Sequence, residues 1–182
     1  DVDKLPSSTP ALTEAYGKEP AQLGDLRLPA GPGPHPVVIV IHGGCWWKGF
    51  ATRQNTAALA SRLTEKGFAT WNIEYRQAGE KDKDGKYSGD AGAGWPGTFN
   101  DWAAATDHLR DLAKRYPIDL ARLAVFIDSV GALDQEKTQG LEDGGCHRGE
   151  DFHQMCAAAR AGEPASHLAV PALGHAQPQQ GL

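Results

Sequence analysis

The chain has 182 residues and a formal net charge of −5, which is the size of one ordinary domain. Hydrophobic residues make up 40% of it and charged residues 23%, a balance that excludes a disordered tail or a low-complexity fibre. The mild acidity, without a cluster of Lys and Arg, argues against nucleic acid as the main partner. The longest aliphatic run, Val37–Ile41, is far shorter than the ~20 residues that a membrane span needs.

The cysteines give little information about the cellular compartment. Cys45, Cys146 and Cys156 are an odd number, whereas a disulfide framework normally needs a denser and even set. Cys146 and Cys156 would pair if the protein is exported. The sequence begins at Asp1, so a leader segment that was removed or never recorded stays possible. Both a cytoplasmic and an exported location are therefore left open, as is the oligomeric state.

The chain divides at about residue 35. Residues 1–34 are rich in Pro and Gly and are predicted to form an irregular N-terminal arm with an edge strand or hairpin around Leu23–Leu28. Residues 35–182 are predicted to form an α/β domain. It opens with Val37–Ile41, which is β-branched throughout and typical of a strand buried on both faces of a parallel sheet.

Helices and strands alternate after this first strand. Arg53–Lys66 has apolar residues near helical spacing and is followed by Gly67, a typical helix stop. Phe68–Tyr75 is the next predicted strand, Thr98–Arg115 the next helix and Leu123–Ile127 the third buried strand. This order predicts adjacent parallel strands joined by right-handed crossovers, with the second helix packed on one face.

The second helix carries its own start signal. Thr98 and Asp101 are three residues apart, a variant of the capping box. Its predicted buried face consists of Phe99, Trp102, Ala103, Thr106, Leu109 and Ala113.

The last third of the chain has a different character. Residues 133–149 are polar, glycine-rich and aperiodic, and are predicted to form a linker. Phe152–Ala161 is predicted to be helical, and His167–Ala172 to be a short strand that leads to His175.

The strongest chemical signal is the segment His42–Trp46, directly after the first buried strand. Gly43 and Gly44 would let backbone N–H groups turn toward a ligand, which is what an oxyanion hole requires. A tight glycine turn at the end of a strand explains the same residues equally well.

Two further residues are candidates for chemistry. Ser129 follows the third strand, where a sharp strand-to-helix turn would expose its hydroxyl as a nucleophile. His175 follows the last predicted strand, where a general base would lie, although a single C-terminal histidine is more often a surface residue.

Together these segments resemble the α/β-hydrolase superfamily, in the branch of bacterial esterases, lipases and arylformamidase-like enzymes with an HGG-x-W oxyanion motif. The similarity covers about residues 15–132 and resumes over about 151–177. It is carried by PVVIVIHGGCWW, FATWNIEYR, AGWPGTFNDW and IDLARLAVFIDSVGA. The resemblance implies a three-layer α/β fold with a mostly parallel sheet.

The resemblance also implies roles for individual residues. Ser129 would be the nucleophile and His175 the general base, with Asp151 or Asp143 as the triad acid; Asp151 is preferred because it directly precedes the last helix. The implied oxyanion donors are the backbone N–H groups of Gly43, Gly44, Cys45 and Val130. The implied substrate is a small ester or amide, and neither a cofactor nor a metal is expected.

The sequence departs from the pattern of this superfamily in two ways. The nucleophile elbow normally reads Gly-x-Ser-x-Gly, but here Ile127 occupies the first glycine position and Asp128 precedes the serine. Ser129 and His175 are only 46 positions apart. Since each strand–helix–strand unit takes roughly 30 residues or more, the interval in a full fold would be nearer ~100. We therefore expect a shortened chain that lacks central strands of the C-terminal half.

The tail also suggests a metal site as a competing interpretation. Zinc accepts mixed Cys and His ligands, but the spacing here matches no standard template. The four candidate ligands are Cys146, His147, His153 and Cys156.

Three functions follow from these observations. The first is a serine hydrolase that acts on a carboxylic ester or a small amide, as an ester hydrolase or an arylformamidase-like amidohydrolase, through an acyl-enzyme. The second is a non-catalytic remnant of such an enzyme, and the third is a Cys/His metal-binding tail on that scaffold. Because little packing would fix the shortened tail, we predict that Ser129 and His175 stay beyond hydrogen-bonding distance and that esterase activity is weak or absent.

Overall fold

The computed structural model describes residues 5–44, 46–79, 83–84 and 88–128. The predicted elements of the tail lie outside the described residues. These are the linker 133–149, the helix Phe152–Ala161 and the strand His167–Ala172.

In the described part of the chain, five strands form one sheet in the order β1-β2-β4-β3-β5, and two helices accompany it. The strands are β1 (Leu12–Ala15), β2 (Leu23–Arg27), β3 (His35–Ile41), β4 (Ala69–Ile73) and β5 (Ile118–Ile127), and the helices are α1 (Ala57–Glu65) and α2 (Gly97–Arg115). Strand β3 pairs in parallel with both β4 and β5, which confirms the predicted set of adjacent parallel strands. Strands β1 and β2 are antiparallel and extend the sheet beyond β4. The division of the chain into an arm over 1–34 and a domain over 35–182 stays a prediction.

The two faces of the sheet are covered by different helices. Alternate residues of β3 point to opposite faces, so Val37, Ile39 and Ile41 join the core under α2, whereas Val38 and Val40 pack against α1. The largest buried side chains on the α2 side are Leu26, Ile39, Ile41, Trp71, Ile73, Tyr75, Leu109 and Leu112. Among the described residues, neither helix is long and apolar enough to cross a bilayer.

Helix α1 begins at Ala57, four residues later than the predicted start at Arg53. The backbone N–H of Arg53 donates to the Glu74 carboxylate at 3.0 Å, and its carbonyl oxygen accepts from the Asn72 side chain at 2.8 Å. These contacts with β4 and its following residue hold Arg53 outside the helix. The predicted helix start was wrong because the helical spacing of apolar residues continues into a segment that the sheet binds instead.

Strand β1 is held to α2 by an ion-pair cluster. The Glu14 carboxylate accepts hydrogen bonds from His108 at 2.7 Å and from Arg115 at 2.9 Å, and the His108 ring stacks on Trp71. The Arg115 guanidinium, with His108 beside it, holds the pKa of Glu14 below its usual value of 4.5. Strand β1 is therefore attached to α2 by ion pairs, in addition to its backbone pairing with β2.

Replacing Glu14 by Gln should lower the free energy of unfolding by about 1 kcal/mol, because the charge-assisted bonds to α2 are lost. Since the folded-state pKa of Glu14 is depressed, its contribution is present above pH 4.5 and is lost as the pH falls through the folded value. Urea unfolding at pH 7 and pH 3 checks both points. Glu65→Gln is the control, because Glu65 pairs only within α1 with the exposed Arg62. An equal loss in both variants at pH 7 would contradict the cluster's role.

Candidate active site

The segment His42–Gly44, called here the HGG turn, directly follows β3 at the carboxyl end of the parallel strands. His42 is buried, while Gly43 and Gly44 are half-buried. Gly44 has a φ of +96°, and a Cβ atom there would lie 3.1 Å from the Cβ of Phe50. The backbone conformation therefore favours glycine strongly, and a side chain there would also be in tight contact with Phe50. Cys45, a predicted oxyanion donor, lies outside the described residues.

Tyr75 determines the direction of the peptide groups in the HGG turn. Its hydroxyl donates to the carbonyl oxygen of His42 at 2.8 Å and to that of Gly43 at 3.2 Å. In a planar trans peptide the N–H points opposite to the carbonyl oxygen. The N–H groups of Gly43 and Gly44 therefore point away from Tyr75, and the described residues offer neither of them an acceptor.

The His42 ring connects the HGG turn to β4. Its Nδ1 lies 3.0 Å from the Gly43 carbonyl oxygen and its Nε2 lies 2.7 Å from the Glu74 carboxylate. The ring also stacks on Tyr75, with the centroids 4.3 Å apart. Both ring nitrogens therefore lie within hydrogen-bonding distance of oxygen atoms, one in the turn and one after β4. The other Glu74 oxygen accepts from the backbone of Arg53, so one carboxylate holds both segments.

The residues after the HGG turn are fixed by backbone bonds to Ala78. Trp47 donates to the Gly44 carbonyl oxygen at 2.8 Å and closes the turn. Ala78 donates to Trp46 and accepts from Lys48, each at 2.7 Å. Trp46 adopts a φ of +49°, an uncommon value for a side-chain-bearing residue. This backbone pairing holds the turn in place on the side of β4.

A row of aromatic rings runs from the HGG turn to the surface. Tyr75 contacts Trp102 edge-on at 5.5 Å, and Trp102 contacts Phe99 at 5.0 Å. Phe99 in turn contacts Trp46 and Trp95, at 5.4 Å and 4.9 Å. Trp95 is 53% exposed, so the aromatic row ends in an apolar surface near the turn.

The predicted capping box at the start of α2 is wrong. Pro96 is the N-cap residue, and no side chain caps the helix. The Thr98 hydroxyl donates to the carbonyl oxygen of Arg76, and the fully buried Asp101 accepts from Gln22 and from the backbone and guanidinium of Arg76. Thr98 and Asp101 thus bind Arg76, in the segment after β4, and do not cap α2.

The third parallel strand ends beside the HGG turn. Ile127 lies opposite Ile41, and the N–H of Asp128 donates to the Ile41 carbonyl oxygen at 2.9 Å. The described part of the chain ends at Asp128. The predicted site residues Ser129, Val130, Asp143, Asp151 and His175 lie outside it. The structure therefore places only Gly43 and Gly44 of the predicted site, and their roles stay predictions.

The described residues contain no group of three or more His, Cys, Asp and Glu side chains that could hold a metal ion. The four candidate zinc ligands of the tail lie outside those residues, so that interpretation also stays a prediction. They are Cys146, His147, His153 and Cys156.

The residues that position the HGG turn were not among the predicted site residues. Glu74, Tyr75 and Arg76 directly follow β4, and each binds a distant segment through its side chain. The available signal was three consecutive polar or ionisable residues after a buried strand, at the edge where parallel strands meet.

Solved structures of esterases share this fold. A bacterial heroin esterase is 26% identical, with a TM-score of 0.52, over 69% of this chain and 37% of its own. Esterase B of Lactobacillus Rhamnosis is 23% identical, with a TM-score of 0.53, over 68% of this chain and 38% of its own. The fold is that of the α/β-hydrolase esterases.

The sequence comparisons narrow this class to one family. The model of the BD-FAE family matches residues 25–134, and the chain belongs to that family. Esterase LipC of Mycobacterium tuberculosis is 42% identical over 65 residues, which are 35% of this chain and 16% of LipC. The chain thus spans well under half the length of these esterases.

Replacing Tyr75 by Phe should lower the free energy of unfolding by about 1–3 kcal/mol, because a buried carbonyl of the HGG turn loses its donor. The amide NMR shifts of Gly43 and Gly44 should change with it. Tyr16→Phe is the control: it removes another buried hydroxyl, which donates to the Glu74 carbonyl oxygen at 2.6 Å. It should lower stability while leaving the two glycine amides in place. Unchanged glycine shifts in Tyr75→Phe would contradict the positioning role.

Proposed function

We propose that this chain is a hydrolase of small carboxylic esters that works through an acyl-enzyme on Ser129. Ser129 attacks the ester carbonyl carbon only when His175, oriented by Asp151 or Asp143, comes close enough to take the hydroxyl proton, and the reaction is slow because little packing would hold His175 there. The proton then passes to the leaving alcohol as the C–O bond breaks. Water attacks the acyl-enzyme, and the carboxylic acid is released.

The orientation of the HGG turn is the observation that carries this proposal. Among the described residues, the N–H groups of Gly43 and Gly44 have no acceptor, because Tyr75 occupies the carbonyl side of both peptides, and we infer that they donate to the oxygen of a tetrahedral intermediate. Such donors act best when they are already in place before the reaction. The bonds from His42 to Glu74 and from Trp47 to Gly44 supply that rigidity.

The end of β5 supports Ser129 as the nucleophile. The Asp128 N–H donates to the carbonyl oxygen of Ile41, the residue before the HGG turn, so the last described residue before Ser129 is bonded beside that turn. The esterase relatives support ester substrates over amides. The aromatic row beside the turn offers an apolar surface to the acyl or alcohol part of the ester.

A non-catalytic remnant is the second candidate, and one observation favours it. Ile127 lies in register opposite Ile41, at the position where the nucleophile elbow of this fold normally has glycine. A side chain there crowds the sharp turn that exposes the serine. In the remnant, the HGG turn persists without an activated nucleophile.

Labelling with a fluorophosphonate probe separates the two candidates. The folded chain should be labelled at Ser129, as mapped by mass spectrometry, and should hydrolyse a short p-nitrophenyl ester slowly. Ser129→Ala should abolish both, while Ser88→Ala, a change in the loop before α2, should leave both unchanged. A folded chain that resists the probe would establish the remnant.

Gly44→Ala tests the HGG turn separately. Alanine at a φ of +96° costs about 1–2 kcal/mol and moves the turn, so the rate of probe labelling should fall at least tenfold. Gly67→Ala is the matched control, because Gly67 has a φ of +95° with open space around it and lies after α1. It should lower stability by a similar amount without changing the labelling rate. Equal labelling rates in the two variants would contradict the oxyanion role of the turn.

A further inference from the structure

A polar cavity of about 270 Å³ lies over β1 and β2, on the side of β4 opposite to β5. Asp25 and Arg27 form part of its wall, and they lie opposite Asn72 and Thr70 of β4. Those two β4 side chains bond to Thr56 and to Thr64 of α1. The cavity therefore opens on the α1 face of the sheet, and no residue of the HGG turn lines it.

Arg27 is a buried cation with few protein contacts. It is 4% exposed, its Nε donates to the Ser8 carbonyl oxygen at 3.1 Å, and its Nη1 is buried without a hydrogen-bond partner among the described residues. Burial lowers the pKa of Arg27, although Asp25 opposes this. Buried guanidinium groups are normally paired with anions, because an uncompensated buried charge is costly.

Among the described residues that line the cavity, the charged side chains sum to one excess positive charge. Asp25 is 3% exposed, and both of its oxygens are engaged: one accepts from the Thr13 hydroxyl at 2.6 Å and the other from Nε of Arg53 at 3.2 Å. Its single negative charge thus faces two guanidinium groups, those of Arg27 and Arg53. The side chains of Ser7 and Gln54 add polar groups to the wall.

We propose that this cavity binds a small oxyanion, the carboxylate or phosphate group of a small molecule, between Arg27 and Arg53. Guanidinium groups bind both chemistries through paired N–H donors. The cavity is open to solvent, so the oxyanion group is the part of the ligand that would lie between the two guanidinium groups. The site is distinct from the HGG turn, because no residue of that turn lines the cavity, although Arg53 is linked to the turn through Glu74.

Titrations with inorganic phosphate and with acetate, at ionic strength held constant with sodium chloride, test the site in the full chain. Isothermal calorimetry and the thermal unfolding midpoint should both show saturable binding of at least one of the two anions. Phosphate binding without acetate binding identifies a phosphate site, and the reverse identifies a carboxylate site. No saturable binding of either anion would overturn the proposal.

Single substitutions in the full chain test where the anion binds. Arg53→Gln and Arg27→Gln should weaken it at least tenfold, whereas Arg62→Gln, which removes an exposed arginine of α1, should leave it unchanged. Asp25→Asn should strengthen binding several-fold, because it removes the competing carboxylate. This expected gain in affinity tests the proposal even if the Arg27→Gln variant does not fold. Equal affinity in the wild type, Arg53→Gln and Asp25→Asn would overturn the proposal.

Discussion

The Glu74 carboxylate joins three segments of the chain at the carboxyl end of β4. One oxygen lies 2.7 Å from the His42 ring and accepts the Tyr75 backbone N–H, while the other accepts the Arg53 N–H. Hydrogen bonds to a carboxylate are about twice as strong as bonds between neutral groups. The HGG turn and the approach to α1 therefore share a single anchor. The positions of both depend on the pairing of β4 with β3.

The central part of the fold was predictable because buried strands and helices have a characteristic pattern of apolar residues. Val37–Ile41 is apolar and β-branched without interruption, as a strand covered on both faces must be, and helical spacing identified α2. Strand β1 has no such pattern of apolar residues. Leu12–Ala15 is four residues long, and its attachment comes from pairing with β2 and from the ion pairs of Glu14 with α2. Such distant contacts have no local pattern in the sequence.

Of the candidate site, only the HGG turn was predictable from the sequence. Gly43 and Gly44 stood out because two consecutive glycines directly follow a buried strand. Thr98 and Asp101 fit a local capping rule, but both side chains bind Arg76, which is far away along the sequence. The rule failed because the Arg76 guanidinium and backbone compete for the same carboxylate. A contact between segments outweighed one within the helix.

The burial of Asp25 and Arg27 could not be predicted from the sequence, for a related reason. Polar residues that alternate with apolar ones in an antiparallel strand usually face water. Here Arg27 is covered by the segment around Ser8, which bonds both to it and to Ser61 of α1. Sequence alternation reports which residues share a face, but it does not report what later covers that face.

The two edges of the sheet differ in their capacity to accept another strand. Strand β1 is short, and Glu14 is tied down by α2, which are features that discourage pairing with a further strand. Strand β5 has ten residues, and the side chain of Phe126, near its C-terminal end, is 42% exposed. Within the described residues, an additional strand would therefore pair more readily along β5 than along β1.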